Sequence, residues 1–197
     1  MVAAQVTFAV VGHHRRSEQA YRLAESLNAQ LFIDDADHGA NWNHLRAIKW
    51  AAGQSARVVV LEDDAQPVDG FAGLAAEWCA RFPDELISFY LGTGRPPQYQ
   101  QQIAERLIAA DKCRADYITL NRLIHGVCYA LPASGIKNIL LNWSQRKPAD
   151  YALGDAWGKD VIYPCYSLVD HADEMPVEKA FDGLPRNERR KAWRLYR

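Results

Sequence analysis

The run of residues 57–61, Arg-Val-Val-Val-Leu, constrains the fold more than any other part of the chain. An unbroken apolar run of this length is typical of a strand that is buried on both faces of a sheet. Two other apolar runs, 5–11 and 31–33, precede it, and apolar residues recur at helical spacing between the three runs, at 21–27 and 42–52. The order β-α-β-α-β predicts an α/β fold with a mainly parallel, mixed sheet flanked by helices.

Polar residues follow each of these three runs. The first run ends at Gly12, the second stops at Asp34 and Asp35, and the third is followed by the carboxylates of residues 62–64. Ligands of such folds collect at the carboxyl ends of the strands. The sequence therefore predicts a ligand site that these three ends share.

The remainder of the chain predicts further helices and strands of one domain. Helices are expected at 70–82, 99–110, 134–143 and 151–157, strands at 86–91, 117–120, 127–131 and 161–163, and an irregular loop at 92–98. We assign residues 1–172 to the domain and residues 173–197 to a C-terminal tail.

Charge separates the tail from the body of the chain. The net charge is −1, but residues 184–197 hold six basic residues and one glutamate, so the body carries −6. This balance excludes a uniformly basic nucleic-acid binder. Trp193 and Tyr196 alternate with the basic residues, which is typical of an amphipathic helix that meets a membrane surface or nucleic acid; the alternative is a helix that packs Trp193 and Leu195 on the body.

No apolar stretch is long enough to span a bilayer, and the amino terminus lacks the pattern of a secretory signal. We therefore expect a cytoplasmic protein without a transmembrane segment, with peripheral contact at a membrane surface as a further expectation. The four cysteines are too widely separated for a metal knuckle and are predicted to be reduced packing residues.

The adjacent carboxylates Glu62, Asp63 and Asp64 carry the chemistry. Three such groups at the end of a buried strand repel one another unless a cation neutralises them, and a divalent metal is the obvious candidate. Because side chains alternate along a strand, Glu62 and Asp64 would face one metal while Asp63 turns towards neighbouring structure. The alternative is a solvated acidic strand end.

Residues 61–64, Leu-Glu-Asp-Asp, resemble the acidic motif of nucleotide-sugar-dependent glycosyltransferases of GT-A (Rossmann-like) fold. They are most similar to the family of lipopolysaccharide and collagen galactosyltransferases. Further segments match that family in the same order: 10–20, 39–44, 125–135, 147–151 and 166–171. The resemblance implies that a sugar, most often from a UDP-sugar, is transferred to an acceptor hydroxyl with Mn²⁺ or Mg²⁺ as cofactor, with inversion as the favoured outcome.

The resemblance also implies roles for individual residues. Asp64 and His171 would hold the metal, with Glu62 as a further ligand, and Asp150 or Asp155 would act as general base. The donor would be bound by Gly12, Asn43, His44, Glu62, Asp63, Arg95 and His125. Simpler readings remain open for several of them: a helix N-cap for Asp150, solvated side chains for Asp155 and Arg95, a surface position for His171, and structural histidines at 44 and 125.

Several functions therefore stay open at this point. The acceptor implied first is an anionic glycolipid, lipopolysaccharide or protein, and modified bases of DNA come second. A metal-dependent phosphoester hydrolase could use the same carboxylates with water as nucleophile. A nucleotide-binding module without catalysis is the third class.

Overall fold

The computed structural model describes residues 5–173, 177 and 189–197 of the chain. The strands are β1 (Val6–His13), β2 (Gln30–Asp34), β3 (Arg57–Glu62), β4 (Ala65–Pro67), β5 (Ile87–Ser88), β6 (Tyr117–Leu120), β7 (Cys128–Ala130), β8 (Val161–Pro164) and β9 (Val169–His171). The helices are a 3-10 turn (His14–Arg16), α1 (Ser17–Leu27), α2 (Ala40–Ala51), α3 (Phe71–Arg81), α4 (Pro97–Cys113), α5 (Ile136–Asn142) and α6 (Ala149–Trp157).

Seven strands form one sheet in the order β2-β1-β3-β7-β5-β8-β6, with helices on both faces. The pairs β1/β2, β1/β3 and β5/β8 are parallel, and the other three neighbouring pairs are antiparallel. The predicted α/β architecture with a mixed, helix-flanked sheet is confirmed. Two of the three parallel pairs belong to the N-terminal β-α-β-α-β unit that the apolar runs predicted.

Strand β3 lies at the centre of the hydrophobic core. Val59 and Leu61 pack on one face of the sheet, whereas Val58 and Val60 pack on the other, and none of the four is more than 1% exposed. Burial on both faces is what the unbroken apolar run predicted. A strand so fixed leaves the carboxylates that follow it little freedom of position.

A separate two-stranded ribbon, β4 with β9, brings a distant part of the chain to this strand end. The antiparallel register pairs Ala65 with His171, so His171 lies beside Asp64. In the parallel register of β1 on β3, Val11 is opposite Glu62, which places Gly12 and His13 beside the acidic residues. Neither β4 nor β9 was expected from the sequence.

The predicted strand 86–91 is regular only over Ile87–Ser88, because the chain beyond it pairs with other segments. The Leu91 N–H donates to Ser167 Oγ at 3.0 Å, and the Leu91 carbonyl accepts the N–H of Trp193 at 2.8 Å. Predicted helix ends elsewhere differ by up to four residues, the largest difference being at the start of α1. Among the described residues, no helix combines the length and the apolar character needed to cross a membrane.

The helix expected in the tail is wrong for residues 189–197, which are extended and paired with the body. Ala192 forms an antiparallel bridge with Gly92, and Leu195 forms a parallel bridge with Ser167. Trp193 packs against the hydrophobic core, as the alternative of a tail packed on the body expected. The rest of the predicted tail, apart from 173 and 177, lies outside the described residues.

Candidate functional site

A cavity of about 750 Å³ opens where β1 and β3 end. The first turn of α2, residues 93–98, residues 124–127, residues 145–151, His171 and Arg190 also line it. Predicted site residues that line it are Gly12, Asn43, His44, Glu62, Asp63, Asp64, Arg95, His125, Asp150 and His171. Its volume lies within the range of about 300–1,000 Å³ that small-molecule sites occupy.

Asp155 is not among the residues that line the cavity. One of its carboxylate oxygens pairs with Arg122 at 2.6 Å and the other with Lys147 at 2.5 Å. The structure therefore separates the two aspartates that the sequence analysis offered as alternative bases, and brings only Asp150 into the cavity.

The acidic strand end is neutralised in part by Arg16, which the sequence analysis did not single out. Its guanidinium Nη1 lies 3.0 Å from Asp63 Oδ1 and also contacts Asp64 Oδ2, and all three side chains are buried. Asp63 further accepts the backbone N–H of His13 at 2.8 Å, so it turns towards β1 as predicted. Burial, with the charge of Asp64 added, nevertheless raises the pKa of Asp63 to about 6.

Glu62 faces the cavity and is held by His44 on α2. His44 Nε2 lies 3.2 Å from Glu62 Oε1, and since a carboxylate only accepts, this nitrogen carries a proton. The other ring nitrogen lies 2.8 Å from the hydroxyl of Tyr129 on β7. Burial opposes ionisation of Glu62, but the contact with His44 and the charges of His171 and Arg16 together outweigh it and lower the pKa of the carboxyl.

Gly126 makes this position of Glu62 possible. A Cβ atom at residue 126 would lie 2.6 Å from Glu62 Oε1, closer than non-bonded atoms approach. Glycine at this position therefore leaves room for the carboxylate that packs over it. Gly12 is similarly constrained, since its Cβ would lie 2.7 Å from the Cβ of Ala20, so packing on α1 explains this glycine.

Asp64 and His171 contact each other inside the cavity wall. His171 Nε2 lies 3.4 Å from Asp64 Oδ2, while His171 Nδ1 accepts the backbone N–H of Asp173 at 2.9 Å. Burial lowers the pKa of His171, so the ring is neutral, and the acceptor role of Nδ1 places its single proton on Nε2. In this arrangement Nε2 carries the proton on the side that faces Asp64, so the ring offers no lone pair to a metal there.

Fewer protein side chains can therefore coordinate a divalent cation than the sequence predicted. Within the described part of the chain, Asp64 Oδ1 is buried and has no hydrogen-bond partner, which fits a carboxylate that coordinates a cation. Glu62, Asp64 and His171 do not form a three-ligand cluster there. The residues present fit a cation that takes one protein carboxylate and most of its ligands from a bound phosphate and water, as Mg²⁺ commonly does.

A second group that could hold a metal ion lies outside the predicted set. The ligand atoms of His13, His14 and Asp37 lie within 4.8 Å of one another, and His13 Nε2 is 2.7 Å from Asp37 Oδ1. The side chains of His14 and Asp37 are exposed. The group does not identify Mn²⁺ or Mg²⁺.

Asn43 and His125 lie in the cavity wall with structural contacts of their own. The Asn43 amide donates to the carbonyls of Gly12 at 3.0 Å and Phe32 at 2.9 Å, which ties α2 to the ends of β1 and β2. His125 Nε2 donates to the carbonyl of Arg95 at 2.8 Å, and burial lowers the pKa of this histidine to about 4. His125 is therefore a neutral side chain that fixes the 93–98 loop.

Asp150 lies in the first turn of α6, where Pro148 occupies the N-cap position expected for Asp150. Its Oδ1 accepts the backbone N–H of Tyr151 at 2.8 Å. Burial, with the negative charge of Glu62 added, raises the pKa of Asp150 to about 7. A carboxyl group in a cavity whose pKa is near neutrality can exchange protons with a ligand at physiological pH.

Sequence reasoning missed Arg16, Tyr129 and Arg190 among the residues of the site. Arg16 was contained in the segment 10–20 that resembles a known family, so its residue type was a usable signal. Tyr129 also lay in a matching segment, yet nothing local linked it to His44. Arg190, which lines the cavity, was assigned to the tail and its charge to an external partner.

Comparisons with known proteins add no relative. No model of a protein family matches the chain, and no curated protein matches it significantly.

Proposed function

We propose that this protein is a glycosyltransferase of GT-A fold that transfers a sugar from a nucleotide diphosphate sugar, a UDP-sugar in the first instance, to an acceptor hydroxyl. One observation carries the proposal. The cavity at the ends of the parallel strands combines an acidic strand end, Glu62 to Asp64, with a buried carboxyl, Asp150, whose pKa is near neutrality. The α/β fold and the order of the matching segments support it.

Glu62 suits hydroxyl recognition in this reaction. Its position is fixed by His44 and by the close contact over Gly126, while 29% of its side chain remains exposed to the cavity. A carboxylate held in this way accepts hydrogen bonds from ribose or sugar hydroxyls without losing side-chain freedom on binding. Asp63 contacts the backbone N–H of His13 and the guanidinium of Arg16, and so holds the strand end next to Glu62 in place.

Asp64 is the residue that would hold Mn²⁺ or Mg²⁺, through its unpaired Oδ1. When bound, such a cation neutralises the charge that develops on the diphosphate leaving group. His171 Nε2 lies 3.4 Å from the other oxygen of Asp64, so we assign this histidine the role of orienting the carboxylate.

Asp150 acts as general base in the proposed reaction. Its carboxylate takes the proton of the acceptor hydroxyl while that oxygen attacks the anomeric carbon, and the bond from this carbon to the phosphate oxygen breaks as UDP leaves. A direct displacement of this kind inverts the anomeric configuration. A pKa near the working pH is the value that suits a base of this kind.

The acceptor is proposed from the resemblance alone, with glycolipid, lipopolysaccharide or protein hydroxyls first and DNA bases second. The described tail gives no separate support for a polyanion, because three of its cations pair within the chain. Arg190 lies 3.6 Å from Asp173, Lys191 lies 3.4 Å from Asp170, and Arg194 lies 2.7 Å from Asp111.

A thermal-shift panel of UDP-, GDP-, CMP- and dTDP-sugars, with and without Mn²⁺, tests the donor. We expect one nucleotide class to raise the melting temperature, and to do so more strongly with metal. A ligand at a hundredfold excess over its Kd stabilises by about 2.7 kcal/mol. The same shift with every nucleotide, or no shift with any of them, would contradict the proposal. Cleavage of a phosphoester in place of a sugar nucleotide would also contradict it.

A further inference from the structure

The C-terminal segment 189–197 contributes Arg190 to the wall of the cavity. Its backbone pairs with two separate parts of the body: Thr93 N–H donates to the Lys191 carbonyl and Ser167 N–H donates to the Arg194 carbonyl, each at 2.8 Å. These hydrogen bonds hold an extended segment between the 91–93 region and the chain that leads into β9.

Two side chains fix the far end of the segment to α4. The indole N–H of Trp193 donates to Gln100 at 2.9 Å, and Arg194 forms a two-fold contact with Asp111 at 2.7 Å for each nitrogen. A bidentate arginine–carboxylate pair defines geometry as well as adding energy. The position of the near end is therefore set by rigid elements.

The near end contacts the strand that carries His171. Lys191 Nζ donates to the His171 carbonyl at 2.6 Å, and the N–H of Ala192 donates to Asp170 at 2.9 Å. The N–H of Arg190 donates to Asp173 Oδ1, also at 2.9 Å. The segment thus holds both sides of His171.

Arg190 brings positive charge to the cavity on this wall. It lines the cavity together with His171 and Asp64 while its Nε lies 3.6 Å from Asp173 Oδ1, and its charge adds to the burial that lowers the pKa of His171. The negative charges of Glu62, Asp63 and Asp64 would repel a diphosphate. Arg16 contacts two of these carboxylates and offsets part of their charge. A guanidinium is well suited to a phosphate group, which it can contact with two parallel hydrogen bonds.

We propose that Arg190 binds a phosphate group of the ligand, and that segment 189–197 holds it in position beside His171. The assignment deepens the proposed function and rests on it for the identity of the phosphate as part of a nucleotide diphosphate. It gives the basic tail a role inside the site.

Calorimetry on the full chain tests this assignment, with Mg²⁺ present throughout and with inorganic pyrophosphate, UDP and uridine as probes. We expect Arg190→Gln to lower the affinity for pyrophosphate and for UDP by about ten- to a hundredfold, the range for one charge-assisted hydrogen-bonded contact. The affinity for uridine should stay unchanged. Arg189→Gln is the matched control, because Arg189 is the exposed neighbour and the charge change is identical. Arg190→Lys should restore part of the lost affinity.

The outcomes separate this assignment from the proposed function. Equal affinities of Arg190→Gln and Arg189→Gln for pyrophosphate would overturn the assignment, as would an equal loss of uridine binding, which indicates a general structural effect. If Arg190→Gln weakens pyrophosphate but the native chain releases no UDP from any UDP-sugar, the assignment stands and the transferase proposal fails. If Arg190→Gln releases UDP from a UDP-sugar as fast as the native chain does, the assignment of Arg190 fails and the transferase proposal stands.

Discussion

The raised pKa of Asp150 predicts how the free energy of unfolding changes with pH, and this prediction does not depend on any ligand. The folded chain holds this carboxyl partly buried, with a pKa of about 7, whereas the ordinary pKa of an aspartate side chain is 3.8. The folded state therefore binds a proton that the unfolded state releases, and ionisation of Asp150 costs stability as the pH rises from about 4 to about 7. Asp150→Asn removes the charge and keeps an oxygen to accept the N–H of Tyr151.

The size of the effect follows from the difference between these two pKa values. At about 1.4 kcal/mol for each unit, the full penalty is about 4 kcal/mol above pH 7, of which about 3 kcal/mol develops between pH 5 and pH 8.5. Residual contact of the carboxyl with solvent reduces this figure. We therefore expect the advantage of Asp150→Asn over the native chain to grow by about 1–3 kcal/mol across that interval.

Urea denaturation of both chains at pH 5 and pH 8.5 measures this difference. Asp160→Asn is the control, because Asp160 is exposed just after the same helix and undergoes the same chemical change. Its effect on stability should differ little between the two pH values. If the advantage of Asp150→Asn is likewise independent of pH, Asp150 is ionised at neutrality like a surface carboxylate, and the reasoning that makes it a base is refuted.

Three further substitutions test the acidic strand end. Asp64→Asn should abolish Mn²⁺-dependent nucleotide binding in calorimetry and lower stability by about 1–3 kcal/mol, because it breaks the buried contact with Arg16; unchanged metal dependence would contradict the metal assignment. Arg16→Met should cost about 3–5 kcal/mol in urea denaturation, and more above pH 6 than below it, since Asp63 and Asp64 then lose their cation. Gly126→Ala should displace Glu62 and weaken sugar-nucleotide affinity at least tenfold with little change in melting temperature, since the clash is with a side-chain end; native affinity would show that the position of Glu62 is unimportant.

Local patterns were sufficient to predict the central strand and its acidic end. Residues 58–61 are all apolar, so burial on both faces could be inferred from the sequence alone, and the three carboxylates had to follow at the strand end. The alternation of apolar runs with helical patterns likewise predicted the parallel half of the sheet. These features depend on residues that are close together in the chain.

Contacts between distant residues account for what the sequence did not reveal. Arg16 lies 47 residues before Asp63, and an arginine at the start of a helix resembles any solvated one until the strands are paired. The proton position on His171 depends on a backbone N–H two residues away, which residue types do not encode. The tail has the composition of an amphipathic helix, but hydrogen bonds to Thr93 and Ser167 favour an extended backbone.

Release of UDP from a UDP-sugar, measured with and without a carbohydrate acceptor, tests the central claim most directly. The account predicts acceptor-dependent release by the native chain, and a loss of about 10²–10⁴-fold in turnover for Asp150→Asn with unchanged donor affinity. The same measurement on Asp155→Asn should give nearly native turnover, because its carboxylate is paired with Arg122 and Lys147 outside the cavity. Native turnover in Asp150→Asn, or no release of nucleotide from any donor in the presence of acceptors and Mn²⁺, would contradict the account.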